Sequence, residues 1–161
     1  MCDLSSLSNA DYKEVYEPNE DTYLLIDALN LESQNFLAKE IEVKPQSVLE
    51  IGIGSSAVIN SMRLMMVRDG IADGVRFVGT DINTKALECG QKVAEKNGND
   101  VIEFVEDQFG TSFCQKAEKF DVIVFNPPYV VTSTEELAEA QKLKGIEASC
   151  AGGEDGIEVL F

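Results

Sequence analysis

LEIGIGSSA, residues 49–57, decides the fold. The apolar run SVLEI leads into it, and SAVINSMRLMMVRDG leads out with helical spacing and closes at Gly70. At the junction Gly52, Gly54 and Ala57 form a G-x-G-x-x-A pattern. A strand that turns through glycines straight into a helix is the opening unit of a parallel α/β sheet. Gly52 permits the tight turn, Gly54 lets a ligand approach the backbone, and Ala57 lets the helix pack closely.

The alternation continues downstream. VRFVGTDIN (75–83) reads as a second strand, and TKALECGQKVAEKNG (84–98) as a helix ending at Gly98, a good residue for the position just past a helix. VIEFVED (101–107) and FDVIVFN (120–126) read as the third and fourth strands, with a helical turn in SFCQKAEK between them. Ser133 and Glu136 make a capping box for a helix running to about 143. KGIEASCAGGEDG is a glycine-rich loop, and IEVLF opens a further helix. Upstream, Leu24, Leu25, Ala28 and Leu29 recur at helical spacing behind Pro18, Glu20, Asp21 and Thr22, which predicts a helix over about 20–38. Residues 1–15 read as a mobile polar lead-in. The expectation is one α/β domain over 16–161, with a mostly parallel sheet and right-handed crossovers.

Composition narrows the function. The chain has 161 residues, 29 of them acidic and 13 basic, for a formal charge of −16. Such a field repels phosphate backbones, so unaided nucleic-acid binding is disfavoured. Histidine is absent, which removes His-based triads and His metal sites. Cys2, Cys89, Cys114 and Cys150 form no CxxC, so no metal site is expected, and they read as reduced thiols of a cytoplasmic protein, with the nucleus as a second compartment. MCDLSSLSNADYKEVYEP has neither a basic nor an apolar signal region. No apolar run approaches the roughly 20 residues that span a bilayer.

The strand ends carry the chemistry. Asp81 closes the second strand, where a carboxylate grips ribose hydroxyls in nucleoside-binding folds. Two cofactor classes fit: a dinucleotide, whose pyrophosphate wants a bare helix N-terminus, and S-adenosylmethionine, whose sulfur is cationic. Glu50, Asp81 and Asp107 would line the carboxyl ends of adjacent strands, where such folds bind ligands. That crowding suits a sulfonium better than a pyrophosphate. Asp107 also fits as a cap of the turn after it. Glu50, buried at a strand end, needs a partner.

FNPPYVV (125–131) poses a separate question, because two prolines follow an asparagine at a strand end. Proline fixes φ and offers no N–H, and each proline pushes the residue before it out of the helical region. The backbone there only accepts hydrogen bonds. The side-chain oxygen of Asn126 and the carbonyl of Pro127 can then converge on the two hydrogens of one NH₂ group, with Pro128 stiffening the turn and Tyr129 laying a flat face beside it. Amide and aromatic amine nitrogens are poor nucleophiles, and holding both N–H bonds orients them and favours charge developing on nitrogen.

LEIGIGS, GTDIN and FNPPYVV together resemble class I S-adenosylmethionine-dependent methyltransferases of the NPPY type, and most of all the HemK-type release-factor glutamine methyltransferases of eukaryotes and archaea. YEPNEDTYLLIDAL resembles their N-terminal helix, and GIEASCAGGEDGIEVL the loop and helix after their catalytic motif. The resemblance covers residues 15–161. It implies a Rossmann-like fold, S-adenosylmethionine as cofactor, and methylation of the glutamine in the GGQ motif of the peptide release factor. It implies cofactor contacts at Thr22, Glu50, Gly52, Gly54, Asp81, Asp107, Gln108 and Asn126, and a grip on the acceptor amide by Asn126, Pro127, Pro128 and Tyr129. Thr22 fits equally as a helix-start cap. The family also implies a heterodimer with a small zinc-binding activator, joined along an edge strand, here VIEFVED. A protein-lysine acceptor is credited to some members.

The family chain continues for about fifty residues past this one, adding three strands to complete a seven-stranded sheet. The expectation is therefore a C-terminally shortened domain, with FDVIVFN at an exposed edge. Three rivals stay open: an adenine-N6 methyltransferase, which needs base flipping and a basic groove; a shortened isoform without turnover; and an NAD-dependent enzyme.

Overall fold

Alternation along the strands divides their apolar side chains between two faces of one sheet. Val48, Phe77 and Ile102 join a large core on one face, while Leu49 and Val78 pack with Phe113 on the other. The computed structural model describes residues 1–33 and 45–160. Its strands are β1 (Ser47–Ile51), β2 (Arg76–Asp81), β3 (Ile102–Glu106) and β4 (Val122–Phe125), in the order β3-β2-β1-β4. All three pairings are parallel. This is a four-stranded, Rossmann-like parallel sheet, and β1 and β2 are buried on both faces as such strands require.

Register positions the site. Ile51 pairs with Thr80 and with Phe125, and Asp81 pairs with Glu106. Gly52, Asp81, Asp107 and Asn126 therefore leave the sheet at one level, along its carboxyl edge.

The helices are α1 (Glu20–Glu32), α2 (Ala57–Arg68), α3 (Thr84–Lys96), the short α4 (Thr111–Gln115) and α5 (Thr134–Leu143). The core on the first face draws Ile26 from α1, Ile59, Met62 and Met66 from α2, and Cys89 and Val93 from α3. Phe77, with no exposed surface, is the largest of the fully buried side chains, and truncating such a residue costs about 3–5 kcal/mol. Residues 34–38 of the helix expected over 20–38 lie outside the described residues. Ser133 caps α5 through the expected box: its hydroxyl accepts from the Glu136 amide and the Glu136 carboxylate accepts from the Ser133 amide. IEVLF gives a 3-10 turn over residues 158–160.

The polar lead-in expected over residues 1–15 instead packs on the domain. The Cys2 amide donates to Ser61 Oγ at 2.9 Å and the Asp3 amide to Asn97 Oδ1 at 2.7 Å. Cys2, Leu7 and Val15 are buried. Their spacing has no period, so nothing local announces a packed segment; all three join the large core on the first face of the sheet.

Candidate active site

The glycine turn begins where β1 ends. Gly52 and Gly54 both have positive φ, 69° and 50°, a conformation that costs glycine little. The Gly52 and Ile53 amides donate to the Thr80 carbonyl at 2.8 and 3.0 Å, which ties the turn to β2. The Gly54 amide donates to Asp81 Oδ2 at 2.9 Å, and the Asn83 amide to Asp81 Oδ1 at 2.9 Å. Burial pushes the Asp81 carboxyl up, against these amide bonds. The Ile82 amide adds a third bond to the carboxylate, and since a carboxylate offers about four acceptor sites, Asp81 retains capacity for a hydroxyl.

Glu50 stands at the carboxyl end of β1, as expected, and has a partner within the protein. Its Oε2 accepts from the Ile59 amide at 2.8 Å, in the first turn of α2. This gives the buried carboxyl group the partner it needs, at the N-terminal end of α2. Burial still pushes its pKa well above the ordinary carboxylate range, the Ile59 amide opposes that, and the Asp81 charge adds to it.

Asp107 starts the loop after β3. Its Oδ1 accepts from the Ser112 amide at 3.0 Å, the capping role the sequence allowed. Its Oδ2 is buried and has no hydrogen bond among the described residues. Gln108 Nε2 donates to Gln141 Oε1 on α5 at 3.2 Å. Thr22 belongs to the capping box of α1, accepting from the Asn19 amide at 3.4 Å.

Asn126, Pro127, Pro128 and Tyr129 follow β4. The Asn126 side chain donates from Nδ2 to Asp21 Oδ2 at 2.9 Å, and the Tyr129 hydroxyl donates to the same oxygen at 3.1 Å. Asp21 also accepts from the Thr22 amide at 2.7 Å and the Tyr16 hydroxyl at 3.1 Å. Burial pushes the Asp21 carboxyl up, but the bonds from Asn126, Thr22, Tyr16 and Tyr129 outweigh it and the net shift is downward. Burial and Asp21 together push the Tyr16 hydroxyl up to about 12. The glycine-rich loop supports the motif from behind: the Val130 amide donates to the Cys150 carbonyl, and the Gly152 amide returns a bond to the Val130 carbonyl.

All the residues singled out in the sequence meet at one cavity of about 210 Å³: Thr22, Glu50, Gly52, Gly54, Asp81, Asp107, Gln108 and Asn126 through Tyr129 line it. Asp21 and Tyr16 line it as well and were missed as site residues. Asp21 read only as an acidic helix start, and the visible signal was its place next to Thr22 in the first turn. No lysine or arginine lines this cavity, among the described residues, against four carboxylates. A pyrophosphate has no counter-charge there. The donor set fits a cationic ligand that brings O–H and N–H donors, and the unpartnered Asp107 Oδ2 is an acceptor awaiting one.

Residues 29–149 match the family model described as the methyltransferase small domain. The chain belongs to that family. Among relatives of this methyltransferase-family chain, a methyltransferase named HEMK2 from Mus musculus is 37% identical over 92% of the chain and 63% of its own length. A putative protein N5-glutamine methyltransferase from Methanocaldococcus jannaschii is 33% identical over 92% of the chain and 62% of its own length. The eRF1 methyltransferase catalytic subunit mtq2 of Schizosaccharomyces pombe is 31% identical over 96% of the chain and 67% of its own length. The chain thus spans less than two thirds of the first two relatives.

Proposed function

We propose that this chain carries the cofactor and acceptor sites of an S-adenosylmethionine-dependent protein N5-glutamine methyltransferase, acting on the glutamine of the GGQ motif of the peptide release factor. The observation that carries the reading is the cavity itself: four carboxylates and, among the described residues, no basic one at the glycine turn, beside Asn126 and Pro127. When bound, S-adenosylmethionine supplies a methyl carbon on a cationic sulfur. Asp81 would accept from its ribose hydroxyls, and the unpartnered Asp107 Oδ2 would accept from an N–H of its base.

On the acceptor side, Asn126 Oδ1 and the Pro127 carbonyl receive no hydrogen bond among the described residues. They accept the two N–H bonds of the glutamine amide and turn its nitrogen toward the cavity. Two acceptor-only groups favour positive charge developing on that nitrogen, a preorganised electrostatic effect. The Tyr129 ring, half exposed where it lines the cavity, would offer a flat face to the amide plane.

The names of the relatives support the acceptor. The same family reading supplies a small zinc-binding activator as partner, joined along β3, which like β4 is an edge strand of the sheet among the described residues. Cys2, Cys89, Cys114 and Cys150 are all free, which supports a reducing compartment, the cytoplasm or the nucleus.

The test offers labelled cofactor with release factor, a lysine-bearing protein and nucleic acid side by side, then maps the site of one added methyl group. Label confined to the GGQ glutamine is expected. Label on lysine or on adenine overturns the reading. Asn126→Ala should abolish transfer, a loss of about 100-fold or more for a lost positioning group, and leave cofactor affinity by calorimetry nearly intact.

A further inference from the structure

The side-chain amide of Asn126 has a donating end and an accepting end, and only one of them suits an acceptor that brings N–H bonds. Hydrogen bonding to Asp21 decides between them. Asn126 Nδ2 donates to Asp21 Oδ2 at 2.9 Å. An ionised carboxylate accepts and never donates, so the oxygen of Asn126 has no place on that side. The planar amide then carries Oδ1 away from Asp21, with no donor to it among the described residues. Asp21 is itself fixed in place. The Thr22 amide and the Tyr16 hydroxyl hold its Oδ1 at 2.7 and 3.1 Å, and the Tyr129 hydroxyl shares Oδ2 at 3.1 Å. One carboxylate thus anchors both the amide and the aromatic ring that flank the acceptor.

We infer that Asp21 is a positioning residue: it locks the Asn126 amide with its oxygen toward the acceptor and so makes the site selective for a planar NH₂ group. The inference rests on the amide-methylation reading above and adds a residue to it. Without Asp21 the Asn126 amide can turn over, and its NH₂ then meets the incoming NH₂, donor against donor. The negative charge behind Nδ2 also polarises the amide, which makes Oδ1 a stronger acceptor through a two-bond chain.

The test is Asp21→Asn, which keeps the shape and replaces an accepting oxygen with a donating NH₂, with Asp21→Ala beside it. Three readouts are taken on the full-length protein: kcat and KM for a GGQ-bearing acceptor, cofactor affinity by calorimetry, and the Asn126 side-chain ¹⁵N–¹H signal, assigned by its disappearance in Asn126→Ala. The expected result is a fall in kcat of about 100-fold with KM and cofactor affinity each within about threefold, and a displaced Asn126 signal. An unchanged kcat overturns the positioning role. So does a loss of kcat that tracks lost cofactor affinity, which would make Asp21 a cofactor ligand. Should the wild-type protein methylate no amide at all, the proposed function fails, and the Asn126 signal judges Asp21 by itself: unmoved in Asp21→Asn, it overturns the lock, and displaced, it supports it.

Discussion

The Gly54 amide and the Asp81 carboxylate are hydrogen-bonded at 2.9 Å, so the glycine turn after β1 and the end of β2 are joined within the protein itself. Asp81 therefore has two duties, shaping the turn and presenting acceptors to a ribose. Asp81→Ala removes both. Cofactor binding should weaken by about 1–3 kcal/mol, the range for lost hydrogen bonds to a charged group. Calorimetry on Asp81→Ala and Asp81→Asn measures it. Asp81→Asn should lose less, since its remaining oxygen can keep one bond. Wild-type affinity in Asp81→Ala would mean that the carboxylate serves the turn alone.

Glu50 provides a test by pH. Burial raises its pKa well above the ordinary carboxylate range, against the Ile59 amide bond and with Asp81 adding to the rise. A raised folded-state pKa means that the folded protein favours the protonated form. That stability is fully present below the unfolded value of about 4.3 and is lost as pH rises through the folded value. Glu50→Gln has no such titration and its side-chain oxygen can still accept from Ile59. Its stability relative to wild type should improve between pH 4 and pH 8. Urea unfolding across that range checks the sign, and parallel curves for the two proteins would show that Glu50 titrates as an ordinary carboxylate.

Much of this site was legible in the sequence because it sits at strand ends. Once β1, β2, β3 and β4 are recognised and the sheet is parallel, register alone brings Gly52, Asp81, Asp107 and Asn126 to one edge. The partners that cross between elements were not legible. Asp21 and Asn126 are 105 residues apart, and no spacing rule relates a helix start to the end of a distant strand. Nor could the residue type of Glu50 reveal that its carboxylate turns to the α2 amide of Ile59. The packed lead-in escaped for the opposite reason: Cys2, Leu7 and Val15 are buried one at a time, without the repeat that marks a helix or a strand.

Gly156 is required by close approach. A Cβ there would lie 2.6 Å from the Tyr129 carbonyl oxygen, and its φ is +68°. Gly156→Ala must push back the backbone at the end of the NPPY motif. Stability should fall by about 1–3 kcal/mol from overpacking and strain. Because the displaced group follows Pro128 directly, kcat should fall further than cofactor affinity. Denaturation and steady-state kinetics separate the two losses, and a variant with unchanged kcat would show that the loop can shift without moving the motif.

A buried polar chain behind the glycine turn carries the last prediction. Ser56 opens α2 at φ 64°, a left-handed conformation unusual for a residue with a side chain. Asn60 Nδ2 holds it by donating to the Ser56 carbonyl at 3.0 Å and to Ser56 Oγ at 2.8 Å. Asn99 Nδ2 donates to Asn60 Oδ1 at 2.8 Å, and Arg63 Nη1 donates to Asn99 Oδ1 at 2.6 Å. Ser56, Asn60 and Asn99 have no exposed surface, so each member depends on the others to satisfy its polar atoms. Asn60→Ala leaves Ser56 Oγ and Asn99 Nδ2 short of a partner and should cost about 1–3 kcal/mol. Asn60 does not line the cavity, yet the turn it braces does. Cofactor affinity should therefore fall at temperatures where Asn60→Ala is still fully folded. Thermal unfolding fixes that range and calorimetry within it measures the affinity; wild-type affinity there would restrict the chain to holding up the fold.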